Sequence, residues 1–103
     1  MLEKICKAEL SDLPDIAALE SEIFSDAWSL KSLEETWNQK NAVIFAAKTE
    51  EKIAGYLIIY YVLDEGEIAR IATAHSMRRQ GAAGQMFQEL VAFCEEQQIT
   101  RIM

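Results

Sequence analysis

The sequence predicts an α+β fold: a mixed sheet with helices on both faces, in the order β-α-α-β-β-β-α-β. Three observations carry this. Two segments with helical apolar spacing lie near the N-terminus. Three apolar runs joined by short polar turns fill the middle. An amphipathic segment follows, and a last apolar stretch opens at the C-terminus.

Residues 2–8 are short and mixed, and fit a first strand. Ser11 and Asp12 are candidate caps for the first helix, with Pro14 in its first turn. Leu13, Ile16, Ala17, Leu19, Glu20 and Ile23 then follow helical spacing, with Glu20 on the apolar side near its edge. Residues 26–29 break the pattern, and Ser29 is placed to cap a second helix carrying Leu30, Leu33 and Trp37 on one face.

Residues 42–48 read as a strand, residues 49–52 as a polar turn, and residues 53–63 as the second strand of a hairpin. Gly55 inside that strand marks a bulge or a close backbone approach. Asp64, Glu65 and Gly66 form the next turn. Residues 67–74 are a third apolar run with Arg70 as its only interior charge. Three strands joined this way imply an antiparallel meander. Ala83, Met86, Phe87, Leu90, Val91 and Cys94 mark an amphipathic helix, which ends over residues 95–98. Residues 99–103 open a further strand, and a helix before it implies a crossover.

The 103 residues form one domain at most. With 17 acidic and 10 basic residues the formal charge is −7. Such a chain lacks the basic footprint that nucleic acid requires, and suits cationic partners such as amines or basic peptide tails. Cys6 and Cys94 are too few for a disulfide framework, and a single histidine, His75, makes no zinc constellation, so no metal is expected. The opening residues do not form a signal peptide, and no apolar run approaches membrane-spanning length. A cytoplasmic setting is the expectation.

The most informative stretch is residues 75–84. A strand runs into a basic loop that runs into a helix N-terminus, whose amides lack intrahelical partners and lie at the positive end of the helix dipole. Gly81, Ala82, Ala83 and Gly84 have little or no side chain, so an anion can approach the backbone. Arg78 and Arg79 add positive charge. Together these features make a diphosphate cradle. A Walker A loop is excluded because no Gly-Lys-Ser/Thr follows Gly81, and no G-x-G-x-x-G dinucleotide fingerprint is present.

The pattern that remains, Arg78-Arg79-Gln80-Gly81-Ala82-Ala83, resembles the Q/R-x-x-G-x-G/A loop of the GNAT N-acetyltransferases. Within that superfamily the chain is most similar to the ribosomal-protein-alanine acetyltransferases. Residues 24–29 resemble their aromatic-x-x-Pro-Trp-Ser helix junction, and residues 62–67 with 71–73 resemble their hairpin and fourth strand. Ala27 stands where that group usually has Pro, and Ala74-His75-Ser76 replaces its Asp-Pro type of turn.

The resemblance implies acetyl-CoA as cosubstrate. It implies that Ile71, Ala72 and Thr73 pair with the pantetheine arm, and that the pyrophosphate lies on the amides of Arg79, Gln80, Gly81, Ala82, Ala83 and Gly84, beside Arg78. The acceptor is a protein N-terminal amine or a small-molecule amine. Glu67, at the start of the fourth strand, is the candidate general base; half-burial beside an apolar strand would raise its pKa. The subgroup's usual base glutamate and acid tyrosine would fall beyond residue 103. No tyrosine among Tyr56, Tyr60 and Tyr61 takes the acid's place. Phe24 and Trp28 are candidates to line an acceptor groove, and His75 reads as a surface turn residue.

The resemblance further implies an incomplete domain over residues 1–103, with two strands and a helix missing after the start of the fifth strand. A lone chain would then expose a strand edge, through which a second copy can pair. A non-catalytic interaction module is the competing expectation. A nucleotide-phosphate switch is disfavoured, because no Lys-Ser/Thr and no metal-binding carboxylate pair lie near the loop.

Overall fold

The computed structural model describes residues 4–50, 52–75 and 81–102. Its elements are β1 (Lys4–Lys7), α1 (Leu13–Ile23), α2 (Leu30–Trp37), β2 (Ala42–Lys48), β3 (Ile53–Val62), β4 (Glu65–Thr73), α3 (Ala82–Gln97) and β5 (Arg101–Ile102), with a single 3-10 turn (Leu10–Asp12) leading into α1. The five strands lie in sequence order in one sheet. β1 to β4 are antiparallel, and β5 joins β4 in parallel after the α3 crossover. The meander and the crossover both match the sequence pattern.

Alternation along β3 divides the core. Tyr56 and Ile58 face α1 and α2, whereas Gly55, Leu57 and Ile59 face α3, and all five residues are buried. On the first face pack Leu13, Ile16 and Leu33. On the second, Phe93 of α3 meets Phe45 and Tyr61 edge to face, with ring centroids 5.7 and 5.4 Å away. Helices therefore cover both faces, as expected. α3 turns Ala82, Met86, Leu90, Phe93 and Cys94 inward, while Ala83, Phe87 and Val91 are exposed. The predicted apolar stripe was thus rotated by part of a turn, because the helix carries more apolar residues than one sheet face can cover.

Several boundaries shift for local reasons. Ser29 does cap α2, accepting a bond from the Ser32 amide at 3.1 Å. Asp12 does not cap α1 with its side chain. It caps the preceding turn instead, taking the Glu9 amide at 2.8 Å and the Lys48 ammonium at 2.8 Å. That pairing, against the loss of hydration, raises the Lys48 pKa. The β3–β4 turn is Leu63-Asp64, beginning one residue and ending two residues before the pattern suggested, with Leu63 at a left-handed φ of 54°. The Asp64 carbonyl accepts both the Thr100 and the Arg101 amides, at 2.8 and 3.1 Å, which ties this turn to the entry of β5.

Gly55 shows both expected features. The register slips beside it, with Ala47 opposite Gly55 but Lys48 opposite Ile53. A Cβ at Gly55 would lie 2.7 Å from the Ala72 carbonyl oxygen of β4 and 3.3 Å from the Met86 methyl of α3. Backbone cannot yield cheaply on one side, so Gly55→Ala is expected to destabilise the chain by about 1–3 kcal/mol, read as a lower urea midpoint at unchanged slope.

Candidate active site

The site is organised around β4. Its register with β3 runs Ile58↔Arg70 and then Ile59↔Ile68, so Ala69 is an extra, unpaired residue. The bulge has a chemical consequence. Strict alternation would place residues 67 and 70 on opposite faces. With one residue inserted, Glu67 (opposite Tyr60) and Arg70 (opposite Ile58) share the face covered by α1 and α2.

Arg70 there meets Glu20, whose side chain has no exposed surface. The guanidinium Nη2 donates to Glu20 Oε2 at 2.8 Å, and Nε reaches both carboxylate oxygens at 3.1 Å. The Tyr56 hydroxyl donates to the same carboxylate, as does the Trp28 amide at 2.8 Å. Burial by itself would raise the Glu20 pKa, but hydrogen bonds from Arg70, Tyr56 and Trp28 outweigh it and hold the group ionised below its ordinary value. Burial, with the neighbouring carboxylate, pushes the Tyr56 phenol far up. Arg70 also donates to the Asp26 carbonyl at 3.1 Å and pairs with its carboxylate at 3.3 Å. It lies over the Phe24 ring at 3.8 Å and 5.7 Å from Trp28. One strand residue thereby fixes the whole α1–α2 junction.

Beyond that junction, a cleft of about 310 Å³ opens between α2 and β3, lined by Trp28, Ser32, Glu35, Thr36, Gln39 and Tyr60. Trp28 lines this cleft, whereas Phe24 lies under the Arg70 guanidinium. Glu67 lies on the same sheet face as Tyr60, directly across from it. Its side chain is exposed, not half-buried, because the sheet face is thinly covered here: its cross-strand neighbour Tyr60 is itself only partly buried. Tyr56 is core, Tyr60 bonds Thr36 at 3.0 Å, and Tyr61 donates to the Lys40 carbonyl at 3.1 Å. His75 is exposed.

β5 reaches only Glu65 and Gly66. From Glu67 to Ala72 no strand among the described residues lies along the outer edge of β4. Ile71 and Ala72 sit in this segment, and Thr73 follows as the last residue of β4. Gly81 precedes α3 with φ of 83°, a conformation that favours glycine, and its carbonyl accepts the first helical bond, from Gln85, at 3.0 Å. Ala82, Ala83 and Gly84 are the first three helical residues, whose amides the helix itself leaves without partners. A Cβ at Gly84 would meet nothing within 4 Å, so the protein's own packing does not require glycine there. Arg78, Arg79 and Gln80 lie outside the described residues.

The chain belongs to the acetyltransferase (GNAT) family, which matches residues 13–103. Among solved structures it is similar to the ribosomal-protein alanine N-acetyltransferase from Escherichia coli, at 24% identity and a TM-score of 0.86, over 99% of this chain and 64% of that one. An aminoglycoside acetyltransferase from an uncultured soil metagenomic sample, in complex with sisomicin, is also 24% identical, with a TM-score of 0.80, over 97% of this chain and 74% of that one. A transcriptional regulator from Bacillus halodurans, 18% identical, gives a TM-score of 0.84 over 99% of this chain and 79% of that one. These likenesses show the fold, and the chain spans less than two thirds of the first protein's length. No curated protein matches the sequence significantly. Among the described residues no helix is long and apolar enough to cross a membrane, and no group of His, Cys, Asp and Glu is arranged to hold a metal.

The Glu20–Arg70 pair was not anticipated, although each half left a signal: an acid on the apolar side of a helix, and a lone cation inside an apolar strand. Glu20→Gln is expected to cost about 3–5 kcal/mol, since it leaves a largely buried guanidinium with only the exposed Asp26 carboxylate as counter-charge. The pH dependence has a defined sign. With the folded pKa lowered, the carboxylate's contribution is fully present above the ordinary value of 4.5 and is lost as pH falls through the folded value. Urea denaturation at several acidic pH values should show this slope in the native chain and its absence in Glu20→Gln.

Proposed function

We propose that the chain forms the cosubstrate-binding part of a single N-acetyltransferase domain that moves acetyl from acetyl-CoA to an amine. The observation that carries this reading is the outer edge of β4, where no described strand pairs from Glu67 to Ala72, together with a glycine-started helix N-terminus. Along that edge, the backbone of Ile71, Ala72 and Thr73 pairs with the pantetheine arm. The amides from Arg79 to Gly84, with the Arg78 and Arg79 guanidinium groups, hold the pyrophosphate. The absence of any packing demand for glycine at Gly84 fits close approach by a ligand.

In the reaction the amine nitrogen attacks the thioester carbonyl, the new C–N bond forms, and the C–S bond breaks to release coenzyme A as thiolate. The acceptor must first lose a proton from its ammonium form. Glu67 is the carboxylate we assign to that step: it is exposed, lies on the sheet face of the α2–β3 cleft, and stands across from Tyr60. The acid that protonates the thiolate is not assigned to Tyr56, Tyr60 or Tyr61, whose hydroxyls are already engaged. The acceptor we favour is a protein N-terminal amine of the ribosomal-protein-alanine type, on the helix-junction sequence of residues 24–29. The likeness to an aminoglycoside acetyltransferase supports a small-molecule amine as the second reading. A cytoplasmic location suits either acceptor. Pairing with a second copy through the outer edge of β5, the last strand of the sheet, belongs to the same proposal.

Isothermal titration of acetyl-CoA into the chain tests the assignment. Binding is expected, and an Arg78→Ala, Arg79→Ala double variant should weaken it by at least about tenfold, as loss of charge-assisted phosphate contacts predicts. Equal binding by both proteins, or none by a folded native chain, would remove the cradle from this loop.

A further inference from the structure

We propose that the cleft between α2 and β3 holds a second cationic group of the acceptor, an ammonium or guanidinium distinct from the amine that is acetylated. The six lining residues offer one carboxylate (Glu35), one indole (Trp28), three hydroxyl-bearing side chains and one amide, and no lysine, arginine or histidine. Ser32, Glu35 and Thr36 lie on α2, and Gln39 follows just past its end, so they form one polar stripe at spacings of three and four. Leu33, fully buried, does the packing of this helix on the core. The stripe ends at the C-terminal turn of α2, where the helix dipole is negative and a cation is favoured.

The walls are held rather than loose. Thr36 is buried and bonded to the Tyr60 hydroxyl. Trp28 is fixed by its amide to Glu20. Arg70, 5.7 Å from the Trp28 ring, has its charge matched by Glu20 and Asp26, so it does not make the cleft positive. A cation here gains a nearby carboxylate, an aromatic ring and hydroxyl acceptors together. Glu67 stands across from Tyr60 on the same face, so an amine brought to Glu67 places its neighbouring groups toward this cleft. The inference rests on the acetyltransferase reading only in taking the bound cation for part of the acceptor.

The test is an NMR titration of the chain with butylamine, 1,4-diaminobutane, spermidine and a short peptide carrying arginine at its second position, at constant ionic strength. The multiply charged ligands are expected to bind at least about fivefold tighter than butylamine, the gain of a desolvated cation–aromatic and carboxylate contact. Their shifts should centre on Trp28, Glu35 and Tyr60. Comparison of spermidine with the peptide separates a small polyamine from a basic chain end as the source of the cation. Glu35 and Gln39 are exposed, so Glu35→Gln and Gln39→Arg should fold normally by circular dichroism. Both should erase the preference while leaving butylamine binding unchanged. Equal binding of mono- and multiply charged amines, or a preference that survives both variants as general attraction to an acidic surface, would overturn the site. Acetyl-CoA titrated in parallel separates the two readings. Its binding without a cation preference removes the subsite and leaves acetyl transfer standing. A cation preference without acetyl-CoA binding removes the subsite's role in an acceptor site.

Discussion

Glu20 is a carboxylate with no exposed surface, and much of the structure answers to that fact. An isolated buried charge would cost several kcal/mol, so the fold must bring donors to it. Arg70 comes from β4, Tyr56 from β3 and the Trp28 amide from the helix junction. Each tie joins two elements that nothing local would hold together. Replacing the group by an apolar side chain would fill the space but would not dictate where β4 and the junction sit relative to each other. The pair therefore acts less as a source of net stability than as a geometric constraint.

The Ala69 bulge makes this constraint usable. By inserting one residue, it turns Arg70 toward α1 and keeps Glu67 on the same face. β5 meets β4 at Glu65 and Gly66, and from Glu67 to Ala72 the outer edge of β4 has no partner strand among the described residues. The Arg70 clamp on the helix junction thus depends on one irregularity in one strand. Bulges recur where a sheet must re-aim side chains, and this one aims Arg70 at Glu20.

Packing and function divide the glycines in the same way. Gly55 is demanded by the protein itself, because β4 and α3 crowd it. Gly84 is not, since nothing within 4 Å would oppose a side chain. Gly81 belongs to neither case; its left-handed backbone is what lets the helix begin where it does. The unopposed position, Gly84, lies in the first turn of α3, the helix that follows the GNAT-like loop.

The sequence by itself determined the element order, the meander, the helical coverage of both faces and the Ser29 cap, because these follow from local periodicity and turn chemistry. It also carried the family, through a short basic and small-residue loop set between a strand and a helix. It did not determine the strand ends, for which Leu63 is the example: a left-handed leucine at a hairpin turn is a conformation no propensity favours. Nor could it rotate α3 correctly, since apolar residues such as Phe87 and Val91 exceed what the sheet can cover. The tertiary structure alone decided the pairing of Glu20 with Arg70, the shared face of Glu67 and Arg70, and the polar cleft beneath Trp28. Those depend on register between strands and on contacts across fifty residues of sequence, and a pattern read along the chain contains neither.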